Sequence, residues 1–339
     1  MKAARQTRRA TCVSVLLLVS FSLFLPPATA AWAPQQPQSP AQQQLPGNGI
    51  ADLARGGGFS ATVEMVRVPV VVEGKNNVFI RNLRAEDFAV RDGGKTHSVD
   101  FFVSDAEPLV VGILVDASAA MKPYAEDVRL AIESAATNLR PEDEVFLIAY
   151  GPSVAMLTEP TADKLQVISD LADYTTWDGA GRALYDALDL GLSTLERSAY
   201  DKRSLLVIGA GGDTASTTGE LGVQQHIHRA GVTIHAIVLS QRPARIRNTP
   251  SRVNRLQTLP EIVNYTGGLI AQRPRLWGRY KNAARWFESA GTVITTYMKH
   301  QYLLHYAPQN PPRPGTWRSI RVIVEGNPDI IRARSGYVR

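Results

Sequence analysis

Residues 111–122 read VGILVDASAAMK. An apolar run closes on Asp116, and Ser118 follows two positions later. The whole run, LVVGILVD over 109–116, lacks polar alternation, which is the pattern of a strand buried on both faces. A strand that ends on a carboxylate and a hydroxyl delivers hard oxygen ligands to a loop, the donor chemistry of Mg2+ or Mn2+. A further hydroxyl would be expected at position 120, where the chain has alanine.

Outward from this stretch the pattern is βαβ. Val128, Ala131, Ile132, Ala135 and Leu139 share a helical face, and Pro141 stops that helix. EVFLIAYG (144–151), SLLVIGAG (204–211), VTIHAIVLS (232–240) and GLIAQ (268–272) read as further strands, and VAMLTEP (154–160) as an antiparallel edge. Helices are expected over LQVISDLADY (165–174), GRALYDALDLGLSTLERS (181–198), 219–230, 259–265 and 279–299. Strands alternating with helices predict a mostly parallel sheet covered on both faces.

Both ends of the chain read as β. Val66, Val68, Val70 and Val72 alternate within VRVPVVV, where Pro69 favours an edge strand or a bulge. DFAVRDGGKTHSVDFF (87–102) reads as a hairpin turning at Asp92-Gly93, with Val99 and Phe101 resuming the alternation. HQYLLHYAP, WRSIRVIVEG and IIRARSGYV supply three more strand candidates near the C-terminus. Three strands make a poor domain alone, so they are expected to complete a small β-sandwich with the N-terminal strands, the α/β part being inserted between.

Ahead of these elements, Lys2, Arg5, Arg8 and Arg9 precede an apolar run from Val13 to Leu25 and the small residues Ala28-Thr29-Ala30. That is the layout of a secretory signal peptide, and the run is short for a membrane span. Arg8-Arg9 gives only a weak twin-arginine pattern, so the general secretory route is preferred. Membrane anchoring is expected only if the signal stays uncleaved. The formal charge of +6 comes from 37 basic and 31 acidic residues. Cleavage after Ala30 removes four basic and no acidic residues, leaving 33 against 31. The apparent basicity is therefore mostly targeting, and nucleic acid is excluded as an expected partner. The single cysteine, Cys12, lies in the signal, so the exported chain has no disulfide or thiolate site. The Pro/Gln-rich stretch PQQPQSPAQQQLPGN (34–48) reads as a linker. The expected layout is a signal at 1–30, a linker at 31–58, sandwich strands at 59–106, the α/β domain at 107–299 and sandwich strands at 300–339.

A strand ending in D-x-S at the carboxyl edge of a parallel sheet resembles the von Willebrand factor A (VWA) fold. LRAEDFAVRDGGKTHSVDFF, RALYDAL, IGAGGDTAS, YTGG and QYLLHYAP...WRSIRVIV...RARSGYV together resemble the secreted VWA-related family first described from acidobacteria. The resemblance implies a VWA-like, Rossmann-type α/β sheet inserted in a small β-sandwich. It also implies a cation held by a D-x-S-x-S loop, a threonine on a second loop and an aspartate on a third. Here Asp116 and Ser118 match the first two ligands and Ala120 replaces the second serine. Arg182 occupies the threonine position in Gly181-Arg-Ala-Leu-Tyr-Asp-Ala187. Ala210 falls on the metal-facing aspartate in Gly209-Ala-Gly-Gly-Asp213, and Asp213 matches the later one.

Three hard-oxygen ligands are lost, and a guanidinium cannot ligate a cation. The expectation is a degenerate, metal-free site in which Arg182 takes the cation's place and pairs with Asp116, since a buried unpartnered aspartate is costly. The alternative keeps Mg2+ or Mn2+ on Asp116 and Ser118, or on a cluster of Asp116, Asp178 and Asp213. The loop RPARIRNTPSRVNR carries Arg242, Arg245, Arg247, Arg252 and Arg255. It reads as a solvated loop, or as a basic rim attracting an acidic protein or glycan. His226 and His228, two apart on one helix, do not face each other. GAGGDT lacks the Lys-Ser/Thr of a phosphate loop, and no G-x-S-x-G or H-E-x-x-H motif occurs. The expected function is non-enzymatic: an exported (periplasmic, cell-surface or secreted) module, structural or binding a protein or glycan, with no cofactor.

Overall fold

The computed structural model describes residues 65–171, 174–179, 181–239, 258–272, 283–326 and 328–339. The signal, the linker and the five rim arginines lie outside the described residues. From the N-terminal side the strands are β1 (Val66–Glu73), β2 (Phe88–Asp92), β3 (Lys95–His97) and β4 (Phe101–Val103). Next come β5 (Leu109–Asp116), α1 (Ala125–Thr137), β6 (Glu144–Tyr150), β7 (Val154–Thr161), α2 (Lys164–Asp170) and α3 (Leu184–Glu196). They are followed by β8 (Lys202–Gly209), α4 (Glu220–Ala230), β9 (Thr233–Val238), α5 (Leu259–Thr266), β10 (Ile270–Gln272) and α6 (Ala283–Lys299). The chain ends with β11 (Tyr302–Tyr306), β12 (Trp317–Val324), β13 (Ile330–Ala333) and β14 (Gly336–Val338).

One sheet has the order β10-β9-β8-β5-β6-β7 and is parallel except for β7. All eight residues of β5 are buried because both its faces are covered. Val111, Ile113 and Val115 pack with Val128 and Ile132 of α1 and with Phe287 and Ile294 of α6. Val110 and Leu114 face Leu188 and Leu192 of α3, with Ile227 of α4 and Ile262 of α5 in the same cluster. Asp163 caps α2 by accepting from Leu165 N at 2.9 Å, and Thr258 with Glu261 forms a capping box on α5.

The chain ends build two four-stranded sheets, β13-β1-β11-β4 and β14-β12-β2-β3. The alternating valines of β1 meet Phe88, Val90, Tyr302, Leu304, Val322 and Val324 between them. Three local expectations need correction. Pro69 lies in an interior strand, not an edge strand: β1 pairs β11 over Val66–Val70 and β13 over Val70–Glu73. Its missing N–H is tolerated because β13 begins to pair only at Val70. The hairpin turns on Gly93 and Gly94, both at positive φ, and Phe101 leaves it, since β4 pairs β11 in the other sheet. IIRARSGYV is two strands in two sheets. Buried Arg334 pins the corner between them by donating to Gly336 O, His228 O and Tyr265 Oη.

The two crossings between sandwich and α/β sheet run side by side. Buried Lys202 donates Nζ to Asp105 O (2.9 Å), Glu107 O (2.9 Å) and Lys299 O (3.3 Å). Arg140 donates to Asp105 O and Lys299 O as well. Fully buried Glu73 accepts from Tyr297 Oη of α6 and from Arg332 of β13. No helix among the described residues is long and apolar enough to cross a membrane.

Three buried histidines give the fold a pH dependence. Burial, with Arg334 adding to it, holds His228 down to about 4. Burial and then Arg332 hold His235 down to about 3, and burial and then Arg67 hold His305 down to about 4. Each is neutral in the fold and gains a proton on unfolding below about pH 6.5. Their stabilisation is therefore complete above that pH and is lost as pH falls toward 4. Urea unfolding between pH 7.5 and 4.5 should lose up to about 1.4 kcal/mol per pH unit for each histidine. A flat profile across that range would contradict this assignment.

Candidate functional site

Three loops meet at the carboxyl edge of the parallel sheet, where open α/β folds place ligands. The first leaves β5 at Asp116, which is 0% exposed. Its Oδ1 accepts from Ser118 N at 2.9 Å and its Oδ2 from Ala210 N at 3.2 Å. Its main-chain oxygen accepts from Tyr174 Oη at 3.0 Å. Two backbone amide donors thus meet the carboxylate and offset its loss of water.

Tyr150 stands opposite Asp116 in the β5–β6 register. Its hydroxyl is buried without a hydrogen-bond partner, as is Ser118 Oγ. Burial, and then the negative charge of Asp116, push the Tyr150 hydroxyl well above its ordinary value. The phenol reaches over Gly209, where a Cβ would lie 2.5 Å from Asp116 Cβ and 2.6 Å from Tyr150 Oη. Glycine at 209 thus makes room for both side chains.

The second and third loops are sewn together by backbone. Arg182 N donates to Thr214 Oγ1 (2.9 Å), and Arg182 O accepts from Thr214 N (2.9 Å) and Ala215 N (3.2 Å). Asp213 accepts from Tyr185 N and Ser216 Oγ and so braces the first turn of α3. Asp186 accepts from Thr217 N and Thr218 N. Burial raises its carboxyl, but the Thr218 and Thr217 hydrogen bonds outweigh that and hold it below its ordinary value.

The expected Arg182–Asp116 pair does not form. Arg182 Nε donates instead to Gly212 O at 3.3 Å, and no ion pair joins it to any carboxylate among the described residues. The reason is local: both Asp116 oxygens already accept from backbone N–H groups, while the Gly212 carbonyl lies within reach of Nε. Asp178 is exposed, and no cluster of Asp116, Asp178 and Asp213 forms. Asp116 and Ser118 are together, Asp213 serves α3, and the rim arginines are outside the described residues. Sequence reasoning missed Tyr150, Gly209 and Thr214. An aromatic residue at the end of the strand next to Asp116 was the available signal for the first.

A cleft of about 420 Å³ opens over this edge, with Ser118, Ala119 and Ala120 on one side and Gly181, Arg182 and Thr214 on the other. These residues do not fit Mg2+ or Mn2+, which need several oxygens around one point. Ser118 Oγ is the one spare hydroxyl on the first loop. Both Asp116 oxygens are engaged, Ala120 and Ala210 have no side-chain oxygen, and Arg182 brings a positive charge. Among the described residues, no group of three His, Cys, Asp or Glu side chains could hold a metal ion.

The architecture is VWA-like: a mostly parallel α/β sheet with helices on both faces, carried by antiparallel sheets from the two chain ends. No family model and no curated protein matches the chain. Among solved structures it is similar to a von Willebrand factor type A protein from Catenulispora acidiphila, at 10% identity and a TM-score of 0.45, covering 83% of this chain and 74% of that one. An aerotolerance-related membrane protein from Bacteroides fragilis is similar at 15% identity and a TM-score of 0.41, with 56% and 98% covered. The vWF domain of a type V pili tip protein from Porphyromonas gingivalis is similar at 11% identity and a TM-score of 0.39, with 56% and 96% covered.

The packing around Gly209 yields a test. Gly209→Ala should destabilise the protein by about 1–3 kcal/mol, the usual cost of overfilling a packed core. Adding Tyr150→Phe, which removes the atom 2.6 Å away, should recover part of that loss in chemical denaturation. Full stability of the single variant would show that the three side chains are not wedged as described.

Proposed function

We propose that this chain is a non-enzymatic, metal-independent interaction module of the cell envelope or exterior. It is exported by its N-terminal signal and binds a protein or glycan, or takes a structural part there. The observation that carries the reading is the closure of Asp116 from within, one oxygen on Ser118 N and the other on Ala210 N. Each Asp116 oxygen thus keeps only one lone-pair site, and neither Ala120 nor Ala210 adds a side-chain oxygen beside it to complete a cation's shell. The interaction surface is then the cleft beside Asp116. The non-enzymatic part is supported by the same geometry. Ser118 Oγ has no base hydrogen-bonded to it.

The unpartnered Ser118 hydroxyl is the one feature favouring the other reading, Mg2+- or Mn2+-dependent adhesion through Asp116 and Ser118. Thermal unfolding separates the two. A cation held at micromolar affinity would add about 4 kcal/mol at millimolar concentration, or several degrees in Tm. We expect the same Tm in EDTA, MgCl2 and MnCl2, with partner capture from envelope extracts equally strong in all three. A Tm rise of several degrees that disappears in Asp116→Asn would overturn the metal-independent reading.

A further inference from the structure

Arg182 is half-buried, yet its guanidinium lacks a counter-charge among the described residues. Its one side-chain hydrogen bond there runs from Nε to Gly212 O, so the terminal amino groups donate to no described residue. Among the described residues lining the cleft, Arg182 alone carries a charge. The second observation is independent of the first. Ser118 lines the same cleft, is 3% exposed, and its Oγ has no partner. A cation with unused donors and a buried hydroxyl with no acceptor are both unsatisfied, and they border one cavity.

We propose that Arg182 and Ser118 form a metal-free carboxylate site, taking the acidic side chain of a partner protein directly onto the guanidinium. This deepens the interaction-module reading and rests on it. The guanidinium fork donates two parallel hydrogen bonds to a planar carboxylate, a match that a lysine or a metal ion does not reproduce. The single charge of the described lining balances one anionic group. The cleft wall is apolar where it meets solvent, at Ala119 and Ala120. An apolar border around one charged anchor suits a peptide better than a sugar.

The experiment titrates the intact chain with sodium acetate, and separately with sodium sulfate, at constant ionic strength with EDTA present. The Nε–Hε resonance of Arg182 is followed by NMR. Acetate should shift that resonance saturably and more tightly than sulfate. Arg182→Met should abolish acetate binding and Arg182→Lys should weaken it about ten-fold, the loss of roughly one hydrogen bond. Ser118→Ala should weaken it several-fold. Arg182→Lys keeps the charge and serves as the test if the methionine variant does not fold. The proposal is overturned by the absence of a saturable shift, by unchanged acetate binding in Arg182→Lys, or by tighter binding of sulfate. The two readings fail separately. Metal-independent partner capture without acetate binding sinks only the carboxylate site, whereas cation-dependent capture sinks the interaction-module reading beneath it.

Discussion

The buried carboxylate of Asp116 is the constraint from which the candidate site is organised. A carboxyl group at the end of a fully buried strand must be met by hydrogen-bond donors. Here the donors are backbone, Ser118 N from its own loop and Ala210 N from the loop after β8. The Ala210 bond holds the first loop against the third, and the Tyr174 hydroxyl on Asp116 O ties in the segment after α2. Two consequences follow. Each Asp116 oxygen is already met by an amide, and Arg182 pairs with no acid among the described residues. The guanidinium leans on Gly212 O and borders the cleft instead.

The opposite, amino edge of the sheet is where the sandwich is tied on. The α/β sheet is entered and left through adjacent crossings, and Lys202 and Arg140 bind the carbonyls of both. Burial and then neighbouring Arg140 push the Lys202 amine down to about 8. Its three carbonyl acceptors offset part of that desolvation. Glu73 and Arg334 extend the same junction to α6, α4 and α5. Polar groups at this seam are costly to bury unless paired, so they favour one docking of sandwich on sheet over others.

Much of the architecture was legible because it follows from burial. LVVGILVD read as a strand covered on both faces, and the strand–helix alternation around it implied a parallel sheet. The sandwich was legible from the spacing of Val66, Val68, Val70 and Val72 and from the need of the C-terminal strands for partners. The local errors share one cause. Pro69, Phe101 and the Arg334 corner are decided by which strand lies alongside, a long-range fact that local alternation does not encode. At the site, the residue types were readable, but the direction of Arg182 was not. It is set by two backbone N–H groups and one backbone carbonyl, which leave no mark in residue identity. Tyr150 and Gly209 escaped because their relation is a contact across three adjacent strands.

The most direct test of the closed Asp116 is crystallographic: crystals grown in millimolar MnCl2, with data collected at the manganese absorption edge. The account requires no anomalous density at the cleft, with Asp116 Oδ1 and Oδ2 still within hydrogen-bond distance of Ser118 N and Ala210 N. A manganese peak about 2.1 Å from an Asp116 oxygen, the usual span of a first-row cation–carboxylate bond, would contradict it.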